Sequence, residues 1–249
     1  MERIGIFDSG IGGLTTMSSI VERLGGGDYV YLADDKNAPF GNKASGELLN
    51  IGRRGVSALV NYGCKHIVIA CNTMTASCKA KLSEEFSVNI IGTEPALKPA
   101  INECTKVALL STLATVSSNR LQELLLSCRG QVTCYPQLNL AGIIESIAPD
   151  WDIMYKWVAK NCHYLADYDG VVLGCTHYIH IRHVFSELFP HIKIYDGNDG
   201  VARRVEHFVK AEDEFSLKIH TTTKKGEDRY KRIFENGEKN KKRVLKNGF

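Results

Sequence analysis

An α/β protein of two similar lobes, each with a mainly parallel sheet and an active site in the cleft between them, is the fold class this sequence predicts. Three observations carry that expectation. Short apolar runs alternate with longer mixed segments of helical character, as when strands buried on both faces are joined by helices. Polar residues close nearly every run, at Asp8, Asp34, Cys71, Glu94, Thr112, Cys175 and Asp196, and ligands in such folds bind at the carboxyl ends of the strands. The two halves also echo one another. "RIGIFDSGIGG" begins at residue 3 and "KVALLSTLATV" at residue 106, while the cysteines of "HIVIACNT" and "GVVLGCTH" stand at 71 and 175, so the offsets are 103 and 104. Identity between the halves is slight, and two independent parallel sheets are the alternative.

In chain order the strand-like runs are "RIGIFDS", "YVYLAD", "HIVIACN", "NIIGTEP", "KVALLST", "GVVLGCT" and "IKIYDG". The first lobe boundary falls near "GTEPALKPAINE", where Pro95 and Pro99 interrupt the pattern and restrict the residues before them. A second crossing follows "DGNDGVARRVEHF". The remainder, a strand-like "FSLKIHTT" and then a helix-like segment, returns to the first lobe. The expected division is 1–95 plus 207–249 for the first lobe and 96–206 for the second.

With 249 residues, 44% of them hydrophobic, the chain can bury a sizeable core. Its 31 basic and 28 acidic residues leave a formal charge of only +3, so nucleic acid is not an expected partner. The exception is the tail, with Lys239, Lys241, Lys242, Arg243 and Lys246; such terminal runs are usually solvated ends. "MERIGIFDSG" enters a strand-like run directly, without a signal-peptide pattern, and no segment is long enough to span a bilayer. A cytoplasmic protein without membrane contact is expected. The eight cysteines include no C-x-x-C pair and should be free thiols.

Three stretches invite chemistry. "DSGIGGLTT" follows a strand, but it lacks both G-x-G-x-x-G and the G-K-[ST] of a phosphate-binding loop. It is either a structural turn or one whose backbone N–H groups hold a carboxylate. "CTHYIHIRH" spaces His177, His180 and His183 by three, which drifts around a helix, and no zinc signature accompanies them. No metal is expected. The third feature is a pair. Cys64, Cys78, Cys104, Cys128, Cys134 and Cys162 read as filler in or near the core. Cys71 and Cys175 instead end apolar strands, and Asn72 and Thr73, or Thr176 and His177, follow them near helix N-termini that favour a thiolate. Two thiols facing across a cleft suit inversion at an amino-acid α-carbon, where one group takes a proton from one face and the other delivers a proton to the opposite face. Asp8 can assist one thiol and His177 the other.

The blocks "GIFDSGIGGLT", "YLADDKNAPFG", "ACNTMTA", "GTEPALKPA", "LSTLATVSS" and "LGCTHY" run through nearly the whole chain in the order of a known family. The chain resembles bacterial glutamate racemase, of the aspartate/glutamate racemase superfamily. The resemblance implies interconversion of L- and D-glutamate by Cys71 and Cys175 without a cofactor, D-glutamate for peptidoglycan, and a homodimer. Carried onto matching positions, it gives Asp8, Ser9, Phe40, Gly41, Asn72, Thr73, Thr176 and His177 as substrate-binding or assisting residues. Thr112 and Thr115 follow as further donors, and Glu145 in "AGIIESI" as a carboxylate near the second thiol. Four positions depart from the family: Phe40 replaces a tyrosine, Thr75 a serine, Ile179 a proline and Leu121 a tyrosine. These bear on substrate preference and rate more than on reaction type. An aspartate racemase is the neighbouring alternative, separated by comparing the two substrates. A two-lobed amino-acid binding protein is the non-catalytic one, and it leaves the paired thiols unexplained.

Overall fold

The computed structural model describes residues 2–128, 131–210, 212–223 and 226–246, with side chains described as far as residue 237. The first part of the chain runs β1 (Arg3–Asp8), α1 (Gly13–Leu24), β2 (Gly25–Ala33), α2 (Ser45–Asn61), β3 (His66–Ile69), α3 (Asn72–Glu85), β4 (Asn89–Gly92) and α4 (Leu97–Glu103). The second runs β5 (Val107–Ser111), α5 (Leu113–Val116), α6 (Asn119–Leu126), β6 (Val132–Pro136), α7 (Leu140–Ile147), α8 (Met154–Asn161), β7 (Gly170–Gly174), α9 (Thr176–Ile179), α10 (Arg182–Leu188) and β8 (Lys193–Asp196). It closes with α11 (Asn198–Glu206), β9 (Glu212–Thr221) and α12 (Glu227–Lys246).

Two sheets result, ordered β4-β3-β1-β2-β9 and β6-β5-β7-β8, and every described pairing is parallel. Written from its other edge, the second sheet is β8-β7-β5-β6, which repeats β4-β3-β1-β2 strand for strand. The echo between the halves is therefore one of topology. In each sheet the chain steps outward in opposite directions from the first strand, so a crevice opens between β1 and β3 and again between β5 and β7. Cys71 and Cys175 sit just beyond those strand ends.

Parallel strands with helices on both sides explain the continuous apolar runs. One face of the five-stranded sheet packs on α1 through Leu14, Met17, Ile20 and Leu24, at helical spacing, and on Tyr230, Ile233 and Phe234 of α12. The other face buries Leu48, Ile51, Val56 and Leu59 of α2 with Met74, Cys78 and Leu82 of α3. Helix α11 adds Val201, Ala202 and Val205 to the α1 side, although residues 198–206 fall within the segment expected for the second lobe. The expected runs omit β6, an edge strand whose residues are half-buried or exposed, so "VTCYP" lacks a fully apolar core.

All eight cysteines are free, and Cys134 alone among them is half-buried rather than buried. Among the described residues no helix is long and apolar enough to cross a membrane. The backbone of α12 is described to Lys246, but the side chains of Lys239, Lys241, Lys242, Arg243 and Lys246 lie outside the described residues.

Candidate active site

Five strand ends, those of β1, β3, β5, β6 and β7, converge on one cleft. Its walls include Ser9, Phe40, Gly41, Cys71 and Thr73 from the five-stranded side and Thr112, Cys175, Thr176 and His177 from the other. Each thiol sits on the residue that caps a helix, Cys71 ahead of α3 and Cys175 ahead of α9. Both cysteines retain 7% exposure. The cleft is narrow, with about 20 Å³ of room between its walls.

The two thiols have different surroundings. Burial pushes the Cys71 thiol up and the negative charge of Asp8 adds to that, while the backbone N–H groups of Met74 and Thr73 act in the opposite sense. Asp8 ends β1 fully buried; its Oδ1 accepts the Gly10 N–H at 3.0 Å and its Oδ2 the Thr176 hydroxyl at 3.2 Å, across the lobes. Burial raises its pKa against the opposing His177 charge and Gly10 N–H. Cys175 has an imidazole instead. Burial alone would lower the His177 pKa, but hydrogen bonds to the Cys175 side chain and to Glu145, with their charges, raise it well above the ordinary 6.5.

Glu145 enters the site from α7 behind His177. Its Oε2 accepts from His177 Nε2 at 2.8 Å and from the Ile11 N–H at 2.9 Å. Burial opposes its charge, yet His177, the Ile11 N–H and Arg229 together hold it below the ordinary carboxylate value. The N–H groups of the glycine turn therefore hold carboxylates, Asp8 at Gly10 and Glu145 at Ile11, and both belong to the protein. The same contact explains the glycines. A Cβ on Gly10 would stand 2.1 Å from Glu145 Oε2, and one on Gly12 would stand 2.3 Å from Thr176 Oγ1. The loop is bare because the opposite lobe docks against its backbone.

A second bridge joins the lobes at three hydroxyls. Thr73 lies 2.8 Å from Thr112 and 3.3 Å from Thr115, and the last two are 2.9 Å apart. Thr112 lines the cleft; Thr115 is fully buried behind it and outside the lining. Asn72 is buried at the first turn of α3, and neither it nor Asp8 forms part of the lining. Phe40 is in the wall, with its ring 6.3 Å from that of Phe7. Pro39, Asn42, Gln137, Leu138, Ala141 and Gly142 complete the cavity and were not expected from the sequence. Gln137 follows β6 directly, so the rule that found the other strand-end residues would have found it had that strand been legible.

The remaining histidines do not gather. His180 donates to the Ile11 carbonyl at 3.0 Å and stacks on Trp151, and burial pushes its pKa down to about 4. His183 meets Tyr155 edge-on. Among the described residues no three His, Cys, Asp or Glu side chains are grouped as a metal site requires.

The profile of the Asp/Glu/Hydantoin racemase family matches residues 41–205. A glutamate racemase from Halothermothrix orenii is 34% identical over 248 residues, 94% of this chain and 98% of the relative. One from Leptospira interrogans is 36% identical over 209 residues, covering 82% of this chain and 81% of the relative. The crystal structure of a glutamate racemase isoform from Bacillus anthracis aligns with a TM-score of 0.76 at 27% identity, over 88% of this chain and 87% of that one.

Proposed function

The chain belongs to the Asp/Glu/Hydantoin racemase family, and on that premise we propose that it interconverts L- and D-glutamate by transferring the α-proton between two cysteine thiols, without a cofactor. Its relatives at 34 and 36% identity are glutamate racemases, which favours glutamate over aspartate. The observation that carries the mechanism is the placement of Cys71 and Cys175 at equivalent strand ends of two sheets with the same order, both in the wall of one cleft.

In the direction from L-glutamate, the Cys175 thiolate takes the α-proton. The C–H bonding pair is left on Cα and delocalises into the adjacent carboxylate. Cys71 then gives its own proton to the opposite face, and the enzyme finishes with the two sulfurs in exchanged protonation states. The reverse reaction starts from a Cys71 thiolate. His177 shares a hydrogen bond with the Cys175 side chain, and the N–H groups of Thr73 and Met74 donate to Cys71, opposing the burial that pushes its thiol up. Ser9, Thr73, Thr112 and Thr176, with the backbone near Phe40 and Gly41, bind the substrate carboxylates; Asn72, at the first turn of α3, and Thr115 act from outside the lining. The product supplies peptidoglycan synthesis in the cytoplasm, and the enzyme acts as a homodimer.

The test is proton NMR of L-glutamate and, separately, L-aspartate in heavy water, with optical rotation followed in parallel. Loss of the α-proton signal together with rotation is expected for glutamate, and Cys71→Ser and Cys175→Ser should each abolish racemisation. Full racemisation by either variant would overturn the two-thiol mechanism.

A further inference from the structure

We propose that Arg229 and Tyr230, at the start of the last helix, are positioning residues for the Cys175 half of the site, acting through Glu145 and His177. The inference rests on the two-thiol reading above. Helix α12 packs on the five-stranded sheet through Tyr230, Ile233 and Phe234, yet its first turn reaches α7 beside the other sheet. An Arg229 guanidinium nitrogen donates to the backbone carbonyl of Glu145. The other terminal nitrogen stands 3.5 Å from Glu145 Oε1, and the Tyr230 hydroxyl donates to the same oxygen at 3.4 Å. Oε2 takes His177 and the Ile11 N–H.

Each oxygen of Glu145 thus has two partners, which fills the acceptor capacity of an ionised carboxylate and sets the orientation of its plane. An ionised acceptor at this point requires the proton on His177 Nε2. His177 also shares a hydrogen bond with the Cys175 side chain, so holding Nε2 on Glu145 sets how the imidazole meets that thiol. Arg229 and Tyr230 touch neither thiol. They hold the group that orients the imidazole. Tyr230 also packs 6.1 Å from the ring of Tyr31, whose hydroxyl donates to the Gly10 carbonyl at 2.6 Å, so one aromatic pair supports both the glycine turn and Glu145. The other titratable groups that face Glu145 and His177 are Asp8 from β1 and His180 after α9.

Arg229 keeps 36% of its side chain exposed, so its truncation is not a core deletion. The experiment compares the full-length native chain with Arg229→Ala, Arg229→Lys and Tyr230→Phe, using L- and D-glutamate with and without deuterium at Cα. Two enantiomers are equally stable, so kcat/KM must fall equally in both directions whatever is lost. Isotope effects break that symmetry. If Arg229→Ala slows the Cys175 step alone, the α-deuterium effect from L-glutamate rises, because that step breaks its C–D bond. The effect from D-glutamate falls toward unity, because that bond breaks at Cys71 in a step that no longer limits the rate.

We expect kcat/KM to drop about tenfold or more in Arg229→Ala, the loss of one hydrogen-bonding partner to a charged group. Arg229→Lys should recover part of this by restoring charge without the fork. Tyr230→Phe should cost less than about threefold, since its contact is long. A purely structural role would lower the active fraction and leave both isotope effects at their native values; that result, or an opposite divergence, overturns the inference. Racemisation surviving in Cys175→Ser overturns the two-thiol reading and this inference with it. A required Cys175 with unmoved isotope effects overturns the inference alone.

Discussion

Replacing Gly12 with alanine tests whether close docking of the lobes sets the geometry of the second thiol. The new methyl carbon would stand 2.3 Å from Thr176 Oγ1, 2.7 Å from His177 Nδ1 and 2.8 Å from the His177 backbone nitrogen. A side-chain hydroxyl can turn away, but the backbone nitrogen cannot. Reaching 3.4 Å, where ordinary contact begins, demands an opening of about 0.6 Å at the backbone and about 1 Å at an unmoved hydroxyl. That displacement falls on the residues next to Cys175, and a misplacement of about 1 Å costs on the order of 100-fold in rate. We expect Gly12→Ala to lose about that factor in kcat/KM, measured polarimetrically, with about 1–3 kcal/mol of stability lost to overpacking. Gly46→Ala is the control. Its methyl meets nothing within 4 Å in α2, and it should leave activity unchanged while adding about 0.4–1 kcal/mol of stability. A Gly12→Ala enzyme within threefold of native activity and of native stability would refute the argument.

Other perturbations report on the remaining contacts. The His177 pKa is raised above 6.5 and that of Glu145 lowered below 4.5, so the histidine's contribution to stability is complete below pH 6.5 and lost as pH rises through its raised value. That of Glu145 is complete above pH 4.5 and lost as pH falls through its lowered value, so their contact should stabilise most between these limits. Denaturant titrations should show Glu145→Gln about 3–5 kcal/mol less stable than native near pH 5.5, with the gap narrowing toward pH 9; a pH-independent gap contradicts the pairing. Thr73→Val removes the interlobe hydroxyl while Thr112 and Thr115 keep each other, and should lower stability by about 1 kcal/mol with a raised KM. Phe40→Tyr restores the family's hydroxyl to the cleft wall. If the backbone there does the binding, KM should change by less than about twofold, and a large drop would show that the hydroxyl binds substrate directly.

Local pattern determined much of this protein. Apolar runs marked the strands because parallel strands are buried on both faces, and the polar residues that close them marked Asp8, Cys71, Thr112 and Cys175 as a class. The spacing of the halves anticipated two sheets of one topology. What local pattern misses is whatever depends on one lobe meeting the other. Strand β6 lacks the apolar run because it lies at an edge, and Gln137 was missed with it. Within "AGIIESI", Glu145 is an ordinary acidic residue on an apolar helix. It becomes part of the site through the Ile11 N–H, 134 residues away, His177, 32 away, and Arg229, 84 away. The glycines of the turn were legible as a turn, but their necessity comes from Glu145, Thr176 and His177 pressing on their backbone. Periodicity records which side of a strand or helix is buried, because burial acts on each element alone. A hydrogen bond between distant residues exists only once both lobes have folded and docked, and that geometry decides which of many polar side chains reach the thiols.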